Sequence, residues 1–284
     1  MSILLAVVVL LATLVGLSLG LLGGGGSILT VPLLTYVAGM DAKEAIAASL
    51  FVVGATSVVS TIAHARRGNV QWRTGLIFGV ASMAGAFLGG LLGGFIPSTI
   101  LMVAFALMML ATATAMLRGR KKKADTGEKK ALPLGKILAE GLAVGLVTGL
   151  VGAGGGFLVV PALALLGGLP MPVAVGTSLL VISMKSFAGL AGYMTSVSLD
   201  WSLVLVVTVA ALVGALIGAR LTSVVPEQAL RKGFGVFVLV MGVFILYQEL
   251  PAPWGLVVVG VAVLLAVVGL AYRRFNRSTQ PVSS

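Results

Sequence analysis

Apolar residues run through this chain in long uninterrupted stretches, at 3–22, 44–63, 74–96, 99–117, 173–192, 201–219, 234–248 and 254–271. About 20 apolar residues span a bilayer as a helix. None of these runs shows the every-second-residue alternation of a membrane barrel strand. Polar residues are confined to short intervals: Asp41, Lys43 and Glu44, the stretch HARRGNVQWR at 64–73, RGRKKKADTGEKK at 118–130, and the end of the chain. The pattern predicts an all-α, polytopic membrane protein.

Two apolar runs are broken in the same way. GLSLGLLGGGGSILTVP at 16–32 carries Gly23–Gly26 and then Pro32, and GLVTGLVGAGGGFLVVP at 145–161 carries Gly152, Gly154, Gly155, Gly156 and then Pro161. Each element of the first recurs 129 residues later. The same offset, without a gap, pairs Ser49 with Ser178, Ser57 with Ser186, Trp72 with Trp201, Gly85 with Gly214, Gly89 with Gly218 and Pro97 with Pro226. Glycine matches come by chance in a chain with 39 glycines; tryptophans and prolines in the same register do not. The chain therefore reads as a duplication. The expected units are a first transmembrane repeat at 1–117, a basic cytoplasmic linker at 118–133, a second repeat at 134–249, an extra helix at 250–272 and a cytoplasmic tail at 273–284.

Charge then orients the repeats. Basic residues favour the cytoplasmic side. The loop with Arg66, Arg67 and Arg73 reads as inside, whereas its counterpart at 193–200, with Asp200 and no Lys or Arg, reads as outside. Arg220, Arg231 and Lys232 read as inside, and their uncharged counterpart at 94–98 as outside. The two repeats thus carry opposite bias, which predicts inverted topology. The N-terminus is expected outside and the C-terminus in the cytoplasm. The first residues lack the basic n-region of a cleavable signal and are expected to stay in the mature chain. Each glycine-broken pair must contribute an even number of crossings, either as two full crossings or as a re-entrant hairpin.

Composition narrows the chemistry. The chain is 59% hydrophobic and 10% charged, against about 25% charged in soluble domains. With no cysteine, disulfides and thiolate chemistry are excluded, and no cofactor is expected. The net charge of +11 sits in short loops and the tail, so it indicates membrane orientation and lipid contact rather than nucleic-acid binding.

Transporters built from inverted repeats bind solute where unwound helices meet near the midplane. A helix break frees backbone N–H groups that favour anions. Gly25, Gly26 and Ser27 are expected to face Gly154, Gly155 and Gly156 across such a site. Close packing alone accounts less well for glycines in a cluster than for glycines spaced along a helix. Lys185, in VISMKSFAG, falls inside an apolar run, where an ammonium is costly and usually functional. It would supply positive charge or carry a proton, so proton coupling stays open. Snorkelling to an interface is its ordinary alternative. Its counterpart is Thr56, so the halves differ chemically. Of the hydroxyls at 49, 56, 57, 177, 178, 183 and 186, Ser49 and Ser178 are the first candidates to contact an oxyanion, although helix hydroxyls commonly bond their own carbonyls. His64 is expected to be an ordinary interfacial residue. No metal-ligand cluster, nucleophile–base pair or phosphate loop is evident, so the expectation is a carrier of a small anionic solute and not an enzyme. An assembly or structural protein of the membrane is the alternative outside transport, and the sequence sets no oligomeric state.

The doubled motif resembles the sulfite exporter TauE/SafE family of membrane permeases. The resemblance rests on G-x-x-x-G-L-x-G-G-G-G-S-x-x-x-V-P at 16–32, its echo at 149–161 and A-V-G-T-S-L at 174–179. It implies a secondary transporter of the bacterial inner membrane moving sulfite, sulfoacetate or another organosulfonate, with export as the expected direction. Uptake, or a different small anion, is the alternative within the same fold. It also implies that the segments 23–27 and 152–156 are the functional ones.

Overall fold

The computed structural model describes residues 3–22, 25–118, 134–152, 154–161, 163, 169–221, 227–251, 253 and 255. Every regular element among them is helical. They are α1 (Ile3–Leu22), α2 (Thr30–Pro32), α3 (Ala42–Arg66), α4 (Trp72–Phe95), α5 (Ser98–Arg118), α6 (Leu134–Val151), α7 (Gly156–Pro161), α8 (Met171–Tyr193), α9 (Trp201–Leu221) and α10 (Glu227–Glu249). Six of them, α1, α3, α4, α5, α8 and α9, contain stretches long and apolar enough to cross a membrane. The ends of the six spanning helices fall within about three residues of the apolar runs, whereas α10 begins seven residues before the run at 234–248. Of the linker at 118–133 only Arg118 is described, and of the extra helix at 250–272 only residues 250, 251, 253 and 255; the tail at 273–284 lies outside the described residues.

The first broken arm is more irregular than a single short helix. A 3-10 turn at Gly25–Leu29 leads into α2, and a π-helical turn follows at Leu33–Val37. Ser27 lies inside the 3-10 turn. The widening begins after Pro32, which has no N–H to hold the tighter ladder. Ala38 N–H donates to the Leu33 carbonyl at 3.0 Å. Asp41 then caps α3, its carboxylate accepting from the Lys43 N–H at 2.9 Å.

Packing follows the small residues. On α1, Gly16 and Gly20 lie against the backbone of Ala211 and Ala215 on α9, while Gly214 and Gly218 of α9 lie against Thr13 and Leu17 of α1. On α6, Gly145 and Gly149 lie against Ser82 and Ala86 of α4, while Gly85 and Gly89 of α4 lie against Leu142 and Leu146 of α6. Shifting every residue by 129 positions exchanges the two interfaces. The first helix of each repeat therefore packs, parallel and at backbone contact, on the third long helix of the other. Close approach of this kind is what binds helices in lipid, where no hydrophobic drive separates tails from side chains.

The counterparts α3 and α8 pack on each other in opposite directions. Gly54 sits on the Phe187 ring and Gly189 on Leu50. One end of the bundle gathers Lys43, whose Nζ donates to the Gly94 carbonyl at 2.8 Å, and Glu44, which accepts from the Asp200 N–H at 3.0 Å. The other end joins the loop after α3 to the start of α8, where the Gln71 N–H donates to Thr177 Oγ1 at 2.9 Å. The loops at 94–98 and 193–200 thus share an end, opposite the loop at 64–73. The core between these ends holds Leu19, Ile28, Leu34, Ile46, Phe105 and Met109, all fully buried. Large apolar side chains such as Val80, Leu92, Val209 and Leu216 point outward.

Candidate functional site

The second glycine break forms because α6 stops at Val151. Gly152, Gly154 and Gly155 take φ values of +69°, +60° and +64°, a region where side chains are strained. Space forbids them too. A Cβ on Gly154 would lie 2.5 Å from Val53 Cγ1 and 2.9 Å from Ser27 Oγ; one on Gly155 would lie 2.5 Å from Lys185 Nζ. The two breaks therefore meet, with Ser27 of the first against Gly154 of the second.

A helix end leaves carbonyls without intrahelical donors. Here side chains from other helices take them. Ser49 Oγ of α3 donates to the Gly152 carbonyl at 2.8 Å, and the buried Tyr193 hydroxyl of α8 donates to the Leu150 carbonyl. In the last turns of α6, Thr148 Oγ1 donates to the Val144 carbonyl at 2.7 Å and accepts from Lys185 Nζ, also at 2.7 Å.

Lys185 is 1% exposed and lies deep in α8. The bond to Thr148 uses one of its three N–H donors, and no carboxylate among the described residues pairs with it. Among the described residues this buried ammonium keeps spare donors and has no counter-charge, and ions in low dielectric are costly unless paired. Snorkelling is ruled out by this burial. The repeat sharpens the point. Thr56 stands where the second half has Lys185, and it donates to the carbonyls of Val52 and Val53 in its own helix. Leu19 stands where the second half has Thr148. Two departures from the duplication thus fall on one hydrogen bond.

The other expected residues distribute unevenly. Gly25 and Gly26 open the 3-10 turn that carries Ser27, and Gly156 is the first residue of α7. Ser49 reaches the second break. Ser178 does not reach Lys185: its hydroxyl donates to the Val175 carbonyl at 2.7 Å, two turns and roughly 10 Å along α8. His64 is half-buried at the far end of α3, its Nδ1 without a partner. Glu140 is 4.0 Å from Lys136 on the outside of α6. No group of three or more His, Asp or Glu that could hold a metal occurs among the described residues. Thr148 and Tyr193 escaped sequence reasoning. The signal for Thr148 was present as the loss of an apolar counterpart at Leu19; Tyr193 stands opposite His64 in the repeat and carried no comparable sign.

Comparison with known proteins agrees with this architecture. The family model for the sulfite exporter TauE/SafE matches residues 8–245. A probable membrane transporter protein of Xylella fastidiosa is 34% identical over 241 residues, 83% of this chain and 92% of the relative. A probable membrane transporter protein of Bacillus subtilis is 29% identical, covering 84% of this chain and 99% of the relative. Another, from Methanocaldococcus jannaschii, is 30% identical over 86% of this chain and 96% of its own. No solved structure matches.

Proposed function

The chain belongs to the sulfite exporter TauE/SafE family, and from that premise we propose that it is a permease carrying one small sulfur oxyanion at Lys185. Sulfite, sulfoacetate and related organosulfonates are the proposed cargo, moving outward across the cell membrane. The observation that carries the reading is the buried, acid-free ammonium of Lys185 where the two glycine breaks meet. The antiparallel packing of the counterparts α3 and α8 supports an inverted pair of repeats, with the end that holds Asp200 outside and the loop with Arg66 and Arg67 inside. In that frame the N-terminus is outside. The segment from Ile3 to Asp41 starts and finishes at the same end, because α1 runs parallel to α9 and α3 begins beside Asp200; this supports a re-entrant hairpin.

An anion leaving a cell with a negative interior gains about 2.3 kcal/mol per charge per 100 mV, so export needs no second ion. The test is flux of labelled sulfite and sulfoacetate from proteoliposomes under an imposed potential. Saturable efflux that rises with interior-negative potential is expected, and Lys185→Met should lower it at least about tenfold at unchanged protein level. Flux that ignores the potential, or survives Lys185→Met, would sink the proposal. Potential-driven flux of another small anion in place of both sulfur compounds would keep the carrier and change the cargo.

A further inference from the structure

Two buried hydroxyls on α3 and α8 are left without partners. Ser57 on α3 and Ser186 on α8 are both 0% exposed, and neither Oγ has a hydrogen-bond partner. A serine in a helix can bond back to its own preceding turn, and a buried polar group that forgoes this loses stability. Their neighbours do bond back: Thr56 to Val52 and Val53, Ser178 to Val175, Ser183 to Leu180, and Thr61 to the Ser57 carbonyl. Thr30, Thr35 and Ser82 also have a hydroxyl without a partner, but of these five hydroxyls only Ser57 and Ser186 are 129 residues apart, the same place in the two repeats.

They also lie on the surfaces that α3 and α8 present to each other. Gly54 sits on Phe187 and Gly189 sits near Leu50. Ser57 is three residues from Gly54, and Ser186 is three residues from Gly189, each on the same helix face as its glycine. Because α3 and α8 run in opposite directions, with Gly54 against Phe187 and Gly189 against Leu50, Ser57 and Ser186 come within about one helical turn of each other along the pair, and Ser186 follows Lys185 directly. Among the described residues Lys185 is the one buried cation.

We infer that Ser57 and Ser186 are solute-binding residues, a two-fold-related pair of hydroxyls that donate to the oxygens of the anion whose charge Lys185 balances. This rests on the anion reading of Lys185. It narrows the cargo to compact anions with several acceptor oxygens, of the sulfite, sulfonate or sulfate kind. A halide has one centre and cannot be held by the two hydroxyls and the ammonium in the same way. A hydroxyl can donate one bond and still accept one, so the pair serves an oxyanion without adding charge.

The chain contains no cysteine, so single thiols can be introduced in the natural background. Ser57→Cys and Ser186→Cys, each in the full chain in liposomes, would be treated with methanethiosulfonate reagents of matched size and opposite charge. Ser178→Cys on the same helix is the control. The expected result is labelling of both thiols by the anionic reagent at least tenfold faster than by the cationic one. Saturating sulfoacetate or sulfate should slow it severalfold, while Ser178→Cys stays unlabelled. Inert thiols at 57 and 186, or labelling that neither anion slows, would overturn the inference. Separately, Ser57→Ala and Ser186→Ala should each raise the KM for flux about tenfold, and Ser178→Ala should leave it unchanged; equal effects of all three would also overturn it. Thiols that are protected in a protein showing no sulfite flux would remove the named cargo and keep the site. Inert thiols in a protein that transports would remove the hydroxyl pair and keep the carrier.

Discussion

At the scale of single residues, Ser49 and Ser178 show how equal positions acquire unequal work. Both are fully buried and occupy matching sites in the duplication. Ser49 bonds a carbonyl that the end of α6 leaves over, whereas Ser178 bonds its own helix. Removing a hydroxyl that satisfies a buried carbonyl leaves that carbonyl unpaired, at about 1–3 kcal/mol. A hydroxyl that shares a carbonyl already in a helix ladder contributes far less. Ser49→Ala should therefore lower unfolding free energy by about 1–3 kcal/mol in detergent denaturation, and Ser178→Ala by less than about 0.5 kcal/mol. Lys185 was legible in the sequence because a charge inside an apolar run has few innocent explanations. The register that pairs Ser178 with Ser49 gives position along a helix but not which neighbours surround it. Thr148 looked like any threonine that bonds its own turn, as it also does; its meaning comes from the ammonium across the interface.

At the scale of elements, some glycines seat a neighbouring backbone, some a side chain and some nothing. Gly85 faces the Leu142 carbonyl, and Gly214 faces that of Thr13, with no room for a methyl group. Gly135 on α6 has open space around it. Gly85→Leu and Gly214→Leu should each destabilise by about 1–3 kcal/mol or more through overpacking, read as a drop in thermal midpoint, and Gly135→Ala should not lower it. The spacing of these glycines announced close helix contacts, and the apolar runs gave nearly every helix within a few residues. What the spacing withheld was the identity of the partners. Nothing in a stripe of small residues says that α1 belongs beside α9 and α6 beside α4. The first broken arm was also only partly readable: Pro32 and the glycines announced an irregularity, but the succession of 3-10, α and π turns depends on which carbonyls find donors after Pro32.

At the scale of the molecule, the exchange of first helices between repeats makes neither half complete. Residues 1–124 expressed alone leave Gly16 and Gly20 without Ala211 and Ala215, and residues 125–284 alone leave Gly145 without Ser82. Each half alone should be degraded, and the two co-expressed should recover a fold that transports; a stable, monodisperse single half would refute this interdependence. The same exchange sets a timetable. Ala211 is made 195 residues after its partner Gly16, whereas Gly145 is made only 63 residues after Ser82. At about 5–20 residues per second, α6 meets a waiting α4 within roughly 3–13 s, but α1 waits roughly 10–40 s for α9. Although α1 is made before every other described helix, it is thus among the last of them to dock. Until then its glycine stripe lacks its partner, and a ribosome that stalls before Trp201 leaves behind a chain that displays, on α1, the mark of an unfinished protein.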